Sequence, residues 1–208
     1  TEAQILDAAE RVASQGWDAL TMRAVAAEVA SSAMALYRYF PTKDDLVEAM
    51  LDRVLLRVDL PEPTGDWLAD LRAIAESHSL TLLENSWAIA PLFSHPDPGP
   101  GANRIGEAVF VALARGGIVD ADAIAAFSAL LALNYGWVSF ASAGSPALGV
   151  YGETGNYDRA LGLLLAGIAA GGDPVDAGAA GIAAAADDVA SGSARIAAAA
   201  GAVAAAAA

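Results

Sequence analysis

The chain of 208 residues has no cysteine, one lysine and two histidines. Without cysteine there is no disulfide, no thiolate metal site and no cysteine nucleophile. The motifs H-E-x-x-H, G-x-x-x-x-G-K-[ST] and G-x-G-x-x-G ahead of a strand–helix unit are all missing. Glu76 stands only two residues before His78, so the Glu-x-x-His pair of helical di-iron proteins is missing too. These absences lead to the expectation of a non-enzyme with neither metal nor cofactor. Positive charge is scarce as well: 11 Lys and Arg face 25 Asp and Glu, for a formal net charge of −14. So acidic a chain does not bind nucleic acid through bulk charge. Residues 1–60 do not escape this, with six basic against ten acidic side chains. Any nucleic-acid contact must rest on where the few cations sit. No N-terminal segment has the pattern of a signal peptide, so a cytoplasmic protein is expected.

Period-two alternation is also missing, and an all-α fold is expected. Hydrophobic residues reach 56%, much of it alanine, enough for a sizeable core. Ile5, Ala8, Ala9 and Val12 share one face of a helix over 2–15, which Gly16 ends. Thr21 is placed to cap a helix over 22–29 carrying Val25, Ala26 and Val29, and Ser32 a helix over 33–39, which Pro41 ends. Thr42 with Asp45 resembles a capping box opening a helix over 43–58. Pro61 and Pro63 mark a boundary, and Thr64 is the expected cap of a helix running to about Asn85. The Pro/Gly-rich 91–101 reads as a loop, followed by helices at 102–115 and 121–143, with Asp120 as cap. A second loop over 144–156 and a helix over 157–170 complete the body. No charge occurs between Ala123 and Gly152. Asn134, several serines, Gly144 and Pro146 interrupt this run, and no basic residues flank it. It is therefore expected at a subunit interface or in the interior, with no membrane. Residues 173–208 are almost all Ala, Gly, Asp, Ser and Val/Ile, with Ile182, Val189, Ile196 and Val203 seven apart. A thin helical seam and a low-complexity extension both fit. The organisation read is thus 1–50, 51–172 and an Ala-rich tail, 173–208.

Within 31–43, "SSAMALYRYFPTK", sits the lone lysine, Lys43. Two short helices joined by a tight turn, ahead of a helical body, form a helix-turn-helix arrangement. Its first helix packs on the core while the second offers its outer face to a major groove. Leu36 and Phe40, four apart, suit the core beside Val25 and Val29. Tyr37, Arg38 and Tyr39 are then free for phosphate or base. Lys43 stands at a helix N-terminus, where a phosphate is favoured. Arg11, Arg53 and Arg57 are expected to be ordinary solvated charges.

Residues 4–51, through "ILDAAERVASQGWDALTMRAVAAEVA" and "MALYRYFPTKDDLVEAM", resemble the DNA-binding domain of the TetR family of transcriptional regulators. The hallmark is Leu36, Tyr37, Phe40 and Lys43. The remainder is more weakly similar to the ligand-binding and dimerisation domain of actinobacterial, tetracycline-repressor-like members. The resemblance implies a homodimer on a double-stranded, palindromic operator. It implies DNA contacts from Thr21, Arg23, Ser32, Ala33, Met34, Tyr37, Arg38, Tyr39 and Lys43, with apolar base contact from Ala33, Met34 and Ala35. The family's Gly-Val-Ser turn is here Ala30-Ser31-Ser32, and Ala suits the first position only if its backbone stays at negative φ. The implied interface is the charge-free helix with 157–170. The implied effector pocket lies beyond residue 64. Its candidate walls are His78, Leu82 and Asn85, on one helical face, with Trp87, Phe110, Asn134 and Trp137; His95 is expected in solvent. A repressor released by a small apolar or amphipathic molecule is the implied function. The alternative is a dimeric helical small-molecule-binding or scaffold protein that has lost specific DNA binding.

Overall fold

A computed structural model describes residues 1–95, 99–144 and 146–171. The tail assigned to 173–208 lies outside the described residues. All regular structure among the described residues is helical: α1 Glu2–Ser14, α2 Met22–Glu28, α3 Ala33–Leu36, α4 Lys43–Leu56, α5 Trp67–Glu84, α6 Ile89–Leu92, α7 Gly99–Arg115, α8 Asp120–Ala141, α9 Pro146–Gly149 and α10 Thr154–Gly171.

The caps explain most of these starts. The Thr21 hydroxyl accepts from Ala24 N–H at 3.1 Å, and that of Ser32 from Ala35 N–H at 3.3 Å. Thr42 and Asp45 form the expected reciprocal box. Five boundaries differ from the sequence reading. Helix α3 is a single turn, with 37–39 continuing as turn. Asp66, not Thr64, caps α5; Thr64 instead gives its N–H and O–H to Asp70. Helix α7 begins at Gly99, not 102, because Pro100 is harmless in a first turn, where its missing N–H has no partner to lose. The 144–156 loop contains α9 and a 3-10 turn at Val150–Gly152, and α10 starts at Thr154. Val119 is the N-cap of α8, with Asp120 its first residue at φ 52.

Two cores share one helix. The first gathers Ile5, Ala9, Val12 and Leu20 with Val25, Leu36, Phe40, Leu46 and Met50. It also buries Ala88, from the segment after α5. The second gathers Leu55 and Val58 with Leu71, Leu113, Leu130, Val138 and Leu161 of α5, α7, α8 and α10. Helix α4 contributes to both, so a division at residue 50 falls inside it. Arg11, Arg53 and Arg57 are paired, contrary to expectation. Arg53 binds Asp7 and lies 3.5 Å from Glu10. Arg57 reaches Glu10 at 2.6 Å and Asn85 Oδ1 at 3.3 Å, and Arg11 reaches Glu28 at 2.9 Å. Partly exposed pairs like these contribute about 0–1 kcal/mol each, but those of Arg53 and Arg57 hold α4 to α1, and that of Arg11 holds α1 to α2. Helix α8 is long and apolar enough to cross a membrane by length and composition. In the structure it buries Ala123, Ala126, Leu130, Asn134, Trp137 and Val138.

The α2–α3 turn departs from expectation at one residue. Ala30 has φ 49, in the left-handed region. Its N–H bonds to the Ala27 carbonyl and that of Ser31 to the Ala26 carbonyl, which is a Schellman motif. The proviso of negative φ is not met, because only a left-handed residue closes this turn. A Cβ there costs about 1–2 kcal/mol, and glycine returns about 0.4–1 kcal/mol through chain entropy. Ala30→Gly is therefore expected to stabilise the protein by roughly 0.5–1 kcal/mol, read as a higher urea midpoint at unchanged slope. Gly101 is the opposite case. A Cβ there would meet Asp52 O at 2.8 Å and Leu55 Cβ at 2.9 Å. Gly101→Ala is expected to cost about 1–3 kcal/mol, visible as a lowered thermal midpoint.

Candidate functional site

Helices α2 and α3 build the first candidate surface. Leu36 and Phe40 are buried at 1% and 5% exposure, which turns the rest of the segment outward. Met34 is 78% exposed, and Tyr37 and Tyr39 are also exposed. Thr21, Arg23, Ser32, Arg38 and Lys43 are exposed and Ala33 half-buried. The nine residues thus fall on α2, α3, the turn after it and the first residue of α4. Thr21 and Ser32 each use a hydroxyl lone pair for capping, which leaves the O–H to donate elsewhere. Lys43 is not free in solvent: its Nζ lies 5.4 Å from the centroid of the Trp17 ring. Trp17 in turn stacks on Trp87, centroids 6.3 Å apart and planes 4° from parallel. A cation over an indole face is held electrostatically. Trp17 was not legible as a partner of Lys43, since only tertiary packing brings them together.

A cavity of about 730 Å³ opens between α4, α7, α8 and the segment around α6. Its apolar wall includes Leu51, Leu55, Leu92, Phe110, Phe127 and Tyr135. Its polar lining includes His78, His95, Asn103 and the carboxylates of Asp45, Glu48, Asp52 and Glu107. Of the seven residues proposed from sequence, His78 and Phe110 line it. The other five lie elsewhere, each for a packing reason. Leu82 is fully buried in the second core. Asn85 ends α5, where its amide donates to the Thr81 carbonyl at 2.9 Å and its oxygen accepts from Arg57. Trp87 is taken by Trp17. Trp137 packs on Tyr157 at 4.6 Å. Asn134 stands behind His78: its Nδ2 lies 3.2 Å from His78 Nδ1 and donates to the Ala75 carbonyl, and its Oδ1 accepts from the Tyr157 hydroxyl at 2.9 Å. His95 is not in solvent. Its side chain is 14% exposed, and Nδ1 lies 3.0 Å from the Pro91 carbonyl. The α4 wall, with Leu51 and Leu55, was not legible in the sequence, because periodicity does not tell core from cavity wall.

His78 is the most perturbed group in the cavity. Burial lowers its pKa from 6.5 to about 4, so its ring is neutral at pH 7. The Asn134 amide is oriented by its other two bonds, which makes Nδ1 the acceptor and puts the ring proton on Nε2. Nε2 is buried and has no hydrogen-bond partner among the described residues. No group of three or more His, Cys, Asp or Glu among the described residues is arranged to hold a metal ion.

The family model described as bacterial regulatory proteins, tetR family, matches residues 5–50. The HTH-type transcriptional repressor DrrR1 of Streptomyces coeruleorubidus is 34% identical over 126 residues, 59% of this chain and 47% of that protein. An HTH-type transcriptional regulator of Saccharopolyspora erythraea is 36% identical over 141 residues, 67% of this chain and 60% of that one. The chain thus spans about half the length of the curated relatives it matches. Among solved structures, apo ActR from Streptomyces coelicolor superposes with a TM-score of 0.69 at 22% identity, covering 83% of this chain and 96% of ActR. ActR in complex with actinorhodin gives 0.67, also at 22% identity, covering 83% and 98%. At that identity the likeness is one of fold.

The depressed His78 pKa has a measurable sign. Between pH 6.5 and 4 the unfolded chain binds a proton that the folded chain refuses, so stability from this residue is present above pH 6.5 and lost on acidification. The loss amounts to roughly 3 kcal/mol by pH 4. Urea unfolding of the wild type and His78→Gln across this range is expected to show a steeper acid loss in the wild type. Parallel curves would rule the effect out.

Proposed function

The chain belongs to the tetR family of bacterial regulatory proteins, and from that membership we propose that it is a cytoplasmic, ligand-responsive transcriptional repressor. It binds a palindromic operator as a homodimer, and a small apolar or amphipathic molecule releases it. The observation that carries this reading is the outer surface of α3: Met34, Tyr37, Arg38 and Tyr39 face solvent while Leu36 and Phe40 anchor the turn. In a chain of net charge −14, the single lysine borders this same surface. Backbone contacts from Lys43 and the tyrosines position the protein; Arg38, Arg23 and Met34 read bases. One short helix makes too few contacts alone, so two copies on half-sites one helical turn apart are required. Exposed Ile124 and Phe140 on α8 and Leu163 on α10 give apolar surface for such a dimer.

Helix α4 connects the two activities. Its Leu51, Asp52 and Leu55 line the cavity, its first residue is Lys43, and Arg53 and Arg57 tie it to α1. A ligand that fits better when α4 is displaced moves Lys43 and α1 with it and changes the half-site spacing. Only a difference in ligand affinity between the two arrangements drives such a shift.

Fluorescence anisotropy with duplex DNA from upstream of the chain's own gene tests the reading. Tight binding that collapses between about 50 and 200 mM salt is expected. Lys43→Ala is expected to weaken binding to all sequences alike and to reduce the salt slope by about 1, the share of the one phosphate that its ammonium neutralises. Arg38→Ala is expected to cost about 1–3 kcal/mol and to relax sequence preference. No binding at low salt, or full affinity in both variants, would sink the reading.

A further inference from the structure

The cavity lining has a charge bias that its place beside α4 does not by itself explain. Among the described residues it carries four carboxylates and neither lysine nor arginine. Asp45 is engaged by Thr42 in the capping box, and Asp52 accepts the Gly101 N–H at 2.6 Å. Glu48 and Glu107 are exposed and have no hydrogen bond or ion pair with any described residue. The carboxylates do not converge into a metal cage. They present a diffuse negative rim, which suits a larger organic cation better than a divalent ion.

The second observation is independent of charge. His78 lines the same cavity at 4% exposure, and its Nε2–H is a buried donor with no acceptor. Buried polar groups are almost always paired, so an unpaired one on a residue that lines a cavity marks a place for a ligand atom. Because Asn134 holds Nδ1 as the acceptor, Nε2 asks for an acceptor, which means an oxygen rather than an N–H. The same cavity has apolar lining that includes Leu55, Phe110 and Phe127. The volume of about 730 Å³ is ordinary for a small-molecule site.

We infer that the effector is an amphipathic cation, with an aromatic or aliphatic body in the cavity, a carbonyl, ether or hydroxyl oxygen accepting from His78 Nε2, and its positive charge held at the rim by Glu48 and Glu107. This rests on reading the cavity as the effector site. Anionic amphiphiles of the same size are excluded by the rim.

The full chain, without DNA, is titrated by fluorescence anisotropy with rhodamine 6G, a cationic xanthene carrying an ester carbonyl, and with fluorescein, an anionic xanthene. Rhodamine 6G is expected to bind at least about tenfold more tightly, and the Glu48→Gln/Glu107→Gln double variant, altered only at exposed positions, to lose about that factor. In the unaltered protein labelled with ¹⁵N-histidine, the His78 Nε2 resonance is expected to shift when rhodamine 6G is added. Equal affinity for the two dyes, no rhodamine binding, an unchanged preference in the double variant, or an unmoved Nε2 resonance overturns the inference. Because no DNA is present, these failures leave the regulator reading standing. Dye selectivity in a chain that binds no operator supports the ligand class while removing the regulator.

Discussion

Everything in this fold leans on the contact between α4 and α7. The two helices cap each other. Asp52 of α4 accepts the Gly101 N–H in the first turn of α7, and Arg104 of α7 donates to the Leu56 and Val58 carbonyls at the end of α4. Each charge sits at the helix end whose dipole favours it. The approach is so close that residue 101 has no room for a side chain. Helix α4 is thereby given a fixed register on the larger core while its other half belongs to the smaller one.

That arrangement puts the support of the α3 surface and a wall of the cavity on one helix. The N-terminal core holds α3 outward because Leu36 and Phe40 have nowhere else to go, and it sits on α4 through Leu46 and Met50. The cavity is bounded by the same helix, at Glu48, Asp52 and Leu55. Arg57 extends the linkage, touching Glu10 of α1 and Asn85 at the end of α5. The cavity wall and the seat of the N-terminal core are therefore parts of one element, with no long relay between them.

Local chemistry was readable in the sequence, and tertiary placement was not. The caps at Thr21, Ser32 and Thr42 and the buried pair Leu36 and Phe40 follow from spacing and side-chain type, because their causes lie within four residues. Thr64 failed as a cap because its real partner, Asp70, is set by Arg115, 45 residues away. Ala30 looked compatible with an ordinary backbone, since a left-handed alanine leaves no mark in the sequence. The cavity was the hardest feature to read. A shared helical face joined His78 to Leu82 and Asn85, yet that face runs from the cavity into solid core and then to a hydrogen bond with Arg57. Its acidic rim is spread over α4 and α7, so no local window shows it.

The lone lysine acquires a further meaning from its seat on Trp17. In most proteins amine chemistry is scattered over many lysines and reports on nothing in particular. Here the side-chain amine is unique, it borders the exposed surface of α3, and its ammonium lies over an indole that stacks on the segment leading into the cavity wall. Acylation of a lysine side chain in this protein is therefore acylation at the edge of that surface alone, and the reactivity of one nitrogen becomes a gauge of how firmly that aromatic stack is closed.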